Sequence, residues 1–168
     1  MIRPAKASEI EKIITITQAC AAHMQSQEIY QWNEFYPSKA AFETDLERGE
    51  LFVLISSENP IGCITISTHK DEEYKAIDWL SVDSDHRYIH RLAVNPEAQG
   101  KGNAKRLMDF AEAKAQEEGA VSVRLDTFSK NLRNQKFYEC RGYQRLGAIY
   151  FPKQSKHPFY CYELLLNS

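Results

Sequence analysis

The chain has 168 residues, 43% of them hydrophobic and 26% charged, with a net charge of −2. That is enough for one domain with a real core over residues 1–168, and it gives no global basic footprint for nucleic acid. No apolar run is long enough to span a membrane, the first residues are too polar for a signal peptide, and Cys20, Cys63, Cys140 and Cys161 form no C-x-x-C pair. The expected setting is therefore a reducing cytoplasm, with neither structural zinc nor disulfides.

Ile2–Ala5 reads as a short strand, and Ser8 with Glu11 reads as a capping box opening a helix. Ile10, Ile13, Ile14, Thr17, Ala21 and Met24 form its apolar face. Residues 30–37 are dense in aromatics and lack helical period. A second helix starts near Ser38 and stops before Gly49. Leu51–Ile55 and Ile61–Ser67 read as a hairpin around the turn Ser56–Pro60. Within the polar stretch Thr68–Asp85, Ile77–Leu80 reads equally as a strand extension or a helical turn. Arg87–Val94 is a strand, and a glycine turn then opens a helix whose apolar face is Ala104, Leu107, Met108, Ala111 and Ala115. Val121–Asp126 is a strand, Asn131 starts another helix with Gly142 past its end, and Tyr143–Tyr150 and Pro158–Leu166 close the chain as strands. Strand, helix, strand around the glycine turn implies a parallel pair, and helices covering a sheet make the class mixed α/β.

The glycine turn, Gln99-Gly100-Lys101-Gly102-Asn103-Ala104, carries the chemistry. Glycines let backbone N–H groups turn outward, and a helix start offers unpartnered N–H groups and a positive dipole end, which together suit phosphate. Lys101, Lys105 and Arg106 add full charges nearby. Two familiar phosphate motifs fit poorly. The P-loop needs Lys and then Ser or Thr after its last glycine, whereas Asn103 follows Gly102. The dinucleotide fingerprint needs a third glycine where Lys105 stands, although Asp126 lies near its acidic position.

A third pattern fits better. Gln99-x-x-Gly102-x-Ala104 resembles the acyl-CoA pyrophosphate signature of the GNAT superfamily of N-acetyltransferases. Asn131–Tyr143, with its Phe137-Tyr138 and Gly142-Tyr143 pairs, resembles the second signature of that family. The resemblance is strongest over residues 86–150 and looser on both sides. It implies a central, mostly antiparallel sheet with one splayed parallel pair, flanked by helices. It also implies acetyl-CoA as co-substrate, bound at Leu92, Ala93, Val94, Gln99, Gly100, Lys101, Gly102, Asn103, Ala104, Asn131 and Tyr138.

Acetyl transfer needs a polarised carbonyl, a deprotonated amine and a stabilised leaving thiolate. The resemblance places a bulge at Leu92–Val94, whose freed N–H groups would hold the thioester oxygen. It gives Tyr138 the proton donation to the thiolate and Asn131 a bond to the cofactor arm. Helical spacing puts Asn131 and Tyr138 on one face and turns Phe137 towards the core. For the base, strand alternation puts Tyr88, His90 and Leu92 on one face, and His90 suits proton acceptance near neutral pH, directly or through water. His86, Asp78 and Glu34 are weaker candidates, and a weakly basic acceptor would need no base. Cys140 has no His at a telling spacing, so direct attack in a ternary complex is expected without a covalent enzyme intermediate.

The family frames its acceptor pocket with segments that map to Tyr30–Tyr36 and Phe151–Tyr160. The acceptor is expected to be a small-molecule or peptide amine. The first segment's aromatics with Glu34 would suit an amine cation, but they read equally as core or as a homodimer contact, whereas Lys153 and Lys156 would suit an acidic acceptor. Two rivals stand beside the enzyme: a non-catalytic acyl-CoA-binding sensor or recruitment module, which needs neither Tyr138 nor His90, and a dinucleotide binder.

Overall fold

The computed structural model describes residues 1–166. Its strands are β1 (Ile2–Pro4), β2 (Leu51–Ser56), β3 (Asn59–Ser67), β4 (His86–Val94), β5 (Ser122–Phe128), β6 (Gln144–Ile149) and β7 (Phe159–Leu165). Its helices are α1 (Ile10–Ser26), α2 (Lys39–Glu47), α3 (Asn103–Glu117) and α4 (Leu132–Cys140). The strands form a seven-stranded sheet in the order β1-β2-β3-β4-β5-β7-β6. The pair β4/β5 is parallel, and β1/β2, β2/β3, β5/β7 and β6/β7 are antiparallel, so the mixed α/β class with one parallel pair holds. Among the described residues no helix is long and apolar enough to cross a membrane. The chain forms two compact units. One gathers Met1–Ser67 and His90–Ala111, and the other Thr68–Ile89 and the chain from Glu112 onward.

In the first unit, β2 and β3 form the expected hairpin, but the strands run further than expected, to Ser56 and Asn59. Only Ser57 and Glu58 turn, at φ +50° and +66°, a left-handed pair whose twist matches that of the flanking strands. α1 buries Ile10, Ile13, Ile16, Thr17, Cys20 and Ala21, with the expected Ile14 and Met24 half-buried against the same core, so its inward face is the expected one widened by Ile16 and Cys20. The expected Ser8–Glu11 box does not form. Ser8 lies inside a short helical turn, Ala7–Glu9, and the box forms there instead, with Glu9 accepting the Lys6 N–H at 2.8 Å and two Arg3 bonds at 3.0 and 2.7 Å. α2 starts as expected, with Ser38 Oγ accepting from Ala41 N–H at 3.1 Å, and ends ahead of Gly49 at φ +69°. Ile13, Phe42 and Val53 are fully buried between these elements, with Trp32 beside them.

The second unit is organised around a buried ion pair. Arg124 Nε donates to Glu163 Oε2 at 2.9 Å, and both side chains are almost wholly buried. The same carboxylate accepts from Ser122 Oγ, Ser81 Oγ and the Leu80 N–H. The Arg124 guanidinium also lies 4.5 Å from the Trp79 ring centre. Ile77–Leu80 is neither strand nor helix. It is held as loop because the Trp79 indole N–H donates to Tyr74 O at 3.0 Å and the Leu80 N–H is taken by Glu163.

Desolvation works to raise the Glu163 pKa, but its hydrogen bonds to Ser122, Ser81 and Arg124 outweigh this and hold it below the usual carboxylate value. Its stabilising contribution is therefore present above the unfolded carboxyl pKa and is lost as pH falls through the lower folded value. Glu163→Ala strands a buried guanidinium and should destabilise the chain by about 3–5 kcal/mol at neutral pH, read from urea unfolding midpoints. A change within experimental error would show that the pair contributes nothing.

Candidate functional site

β4 is irregular at one residue. Arg91 has φ +49°, which L side chains rarely adopt within a strand. The break falls immediately before Leu92, ahead of the expected Leu92–Val94. A left-handed residue within a strand bends it and disturbs the regular ladder at that point. His90 and Leu92 are half-buried, and Ala93 and Val94 are buried. Gly62 of β3 lies so close to Ala93 that an added Cβ would meet its carbonyl oxygen at 2.9 Å.

Beyond Val94 the backbone is braced by its own side chains. Asn95 N–H donates to Ile61 O at 2.8 Å, and Asn95 Oδ1 accepts from Glu97 N–H at 3.2 Å. Gln99 Nε2 donates to Val94 O at 3.0 Å, and Asn103 Nδ2 donates to Ala98 O at 2.9 Å. Gln99 and Asn103 thus hold the loop with their side chains. Gly100 and Gly102 take φ +75° and +78°, with nothing within 4 Å of an added Cβ. Their need for glycine is conformational, and the space beside them is open. The helical ladder of α3 includes Arg106 N–H to Gly102 O at 3.0 Å, so the amides ahead of Arg106 lie in the helix's unladdered first turn. Lys101 is exposed, Lys105 pairs with Asp109 at 2.8 Å, and Arg106 donates to Asn103 Oδ1. Open space beside two left-handed glycines, an unladdered helix start and nearby cations fit a phosphate-bearing ligand.

In the second unit, Asn131 caps α4, its Oδ1 accepting from Asn134 N–H at 3.1 Å. Tyr138 is 5% exposed, whereas Phe137 is only half-buried, with Arg141 5.7 Å from its ring centre. This reverses the expected inward Phe137. Tyr138 is the residue that packs against Tyr143 and Tyr162, at 5.8 and 6.2 Å between ring centres. Burial, and next the Asp126 charge, push the Tyr138 pKa up, so its hydroxyl keeps its proton throughout the neutral range. Tyr88 is buried against Tyr74 and His86. His86 is buried too, with Nδ1 at 2.8 Å from Ser122 Oγ and Nε2 at 2.8 Å from Val82 O, which makes it part of the unit's interior. Asp78 and Glu34 are exposed. A shallow groove of about 400 Å³ lined by Leu132, Gln135, Lys136, Glu139, Cys140 and Arg145 contains none of the expected site residues. Among the described residues no cluster of His, Cys, Asp or Glu could hold a metal ion.

Sequence reasoning passed over two residues. The sequence offers Asp126 only as a strand-end acid near the dinucleotide position, and Tyr74 falls in the polar stretch Thr68–Asp85. In the structure Tyr74 OH donates to Asp126 Oδ2 at 2.5 Å. Burial pushes the Asp126 carboxyl up to about 7, with the Tyr74 bond opposing and the Asp71 and Glu73 charges adding to the rise. The available signal is a pair of charges, Arg124 and Asp126, two apart and so on one face of a strand.

The sequence profile of the acetyltransferase (GNAT) family matches residues 15–143. The N-acetyltransferase YesJ of Bacillus subtilis, itself uncharacterised, is 24% identical over 150 residues, covering 86% of this chain and 82% of that protein. A GNAT-family acetyltransferase from Streptococcus agalactiae superposes with a TM-score of 0.81 at 22% identity, covering 100% of this chain and 96% of the other. The PaiA N-acetyltransferase of Thermoplasma acidophilum, solved in complex with coenzyme A, gives 0.72 at 16% identity, covering 99% and 98%.

The raised Asp126 pKa fixes a sign. A carboxyl whose folded pKa lies above its unfolded value contributes stability below the unfolded pKa of about 4, and that contribution is lost as pH rises through the folded value. Asp126→Asn removes the titration. Urea midpoints should show the variant gaining on the parent between pH 5 and pH 8, and a relative loss over that interval would contradict the assignment.

Proposed function

This chain belongs to the acetyltransferase (GNAT) family, and from that premise we propose that it moves an acetyl group from acetyl-CoA to a primary amine by direct attack in a ternary complex. The observation that carries this reading is the run Gln99–Ala104, in which two left-handed glycines open α3 just beyond an irregular β4. The backbone N–H groups of Gly100, Gly102, Asn103 and Ala104, with Lys101 beside them, would hold the pyrophosphate. N–H groups of Leu92–Val94 would hold the thioester oxygen and the pantetheine arm. Acetyl-CoA supplies the thioester carbon that the amine attacks and the thiolate that leaves. His90 would take the amine proton, directly or through water, and Tyr138 would donate to the leaving sulfur, with Asn131 bonding the cofactor arm. We place residues 1–168 in one catalytic domain acting in the cytoplasm, which the free thiols of Cys20, Cys63, Cys140 and Cys161 suit.

Thermal unfolding with acetyl-CoA, CoA, NAD and ATP tests the ligand. A ligand at about 100 times its dissociation constant stabilises the native state by about 2.7 kcal/mol. The melting temperature should rise with the two CoA species only, and a rise with NAD alone would favour the dinucleotide rival. Tyr138→Phe should lower kcat against an amine panel by about 100-fold while sparing CoA affinity. Binding of acetyl-CoA without turnover of any amine in the parent protein would instead favour the sensor reading.

A further inference from the structure

Among the described residues, the non-glycine positions with positive φ are Glu28, Ser57, Glu58 and Arg91, and of these only Arg91 lies inside a strand. Such a conformation persists where the surroundings over-determine it. Here the surroundings are specific. Arg91 Nε and Nη2 donate to Asp45 Oδ2 and Oδ1, both at 2.7 Å, in a bidentate pair. Arg91 Nη1 donates to Tyr36 OH at 3.2 Å. Asp45, on α2, is 2% exposed and also accepts from Thr65 Oγ1 at 2.8 Å. The Arg91 carbonyl faces Cys63 Sγ at 3.5 Å. Side chain and backbone of one left-handed residue are thus both held, by α2, β3 and the aromatic segment.

A buried ion pair is a poor device for stability alone, since apolar residues of similar volume do as well or better. It is a good device for fixing one geometry, because a bidentate guanidinium–carboxylate pair tolerates little rotation. We propose that Arg91 is a positioning residue of the transfer site. Clamped by Asp45 and Tyr36, it sets the left-handed break that aims the Leu92–Val94 amides, and it ties their geometry to the aromatic segment around Tyr36. This rests on the acyl-CoA reading of those amides. Arg91 does not touch the reacting atoms; it acts through the backbone it bends. Because Tyr36 belongs to the segment assigned to the acceptor, a change in that segment's seating reaches the amides through one guanidinium.

The test separates the two ends of the ligand. Calorimetric titration uses CoA, which carries the pantetheine arm, and 3′-phospho-ADP, which carries the pyrophosphate without it. In Arg91→Lys and Asp45→Asn the CoA dissociation constant should rise about tenfold, the size of one or two lost hydrogen bonds, and that of 3′-phospho-ADP should stay within about twofold. Tyr36→Phe removes one hydrogen bond and keeps the ion pair, so it should show the same split at about two- to threefold. It also serves as the readout if the charge variants do not fold. Equal weakening of both ligands, or no change in either, overturns the proposal and leaves the pair a structural one. Failure of the parent protein to bind either ligand overturns the acyl-CoA reading itself and the proposal with it.

Discussion

The backbone between β4 and α3 has to do two incompatible things. It must leave a buried strand with its polar groups satisfied, and it must open a helix with N–H groups facing outward. The chain meets both demands with left-handed residues at Arg91, Gly100 and Gly102. The two glycines adopt that conformation at no steric cost, and open space lies beside each of them. Arg91 adopts it against its own preference, so the energy must come from its partners Asp45 and Tyr36. The Gln99 and Asn103 side chains bond loop carbonyls and so brace the turn between them.

The two units solve the burial of charge in the same manner. Arg91 with Asp45 in one, and Arg124 with Glu163 in the other, each combine a guanidinium with a carboxylate that accepts from further hydroxyl groups. Desolvating such groups costs several kcal/mol per ion, of order, and the geometry must return it through hydrogen bonds. That explains why Thr65, Ser122 and Ser81 surround the carboxylates. Apolar residues there would leave lone pairs empty.

Much of this was legible in the sequence, because it depends on local chemistry. Ser38 as a cap, Gly49 as a stop, the glycine turn and the apolar face of α3 are each fixed within a few residues. The errors fall where tertiary partners decide. A left-handed Arg91 is unreadable without Asp45, 46 residues away. The facing of Tyr138 and Phe137 followed from which aromatics came to meet them, Tyr143 and Tyr162, and helical period cannot supply that. Asp126 shows the same limit. Its sequence position gives an acid in a strand, and only the fold brings it to Tyr74 and gives it the desolvation that pushes its carboxyl up.

The packing around Tyr138 also bears on what its hydroxyl can do. An unperturbed tyrosine titrates near ~10 and a thiol near ~8.5, so full transfer of the phenolic proton to a thiolate is already uphill in water. Burial raises the Tyr138 pKa further, and the Asp126 charge adds to it. A group so placed is a firm hydrogen-bond donor and a reluctant acid. In the transfer proposed above, such a donor would act mainly through a hydrogen bond that strengthens as negative charge grows on the sulfur, with the proton passing completely only as the thiolate departs. The Asp126 charge adds to the hold that burial gives Tyr138 on its proton, so in the proposed transfer the helix tyrosine serves as a donor more than as an acid.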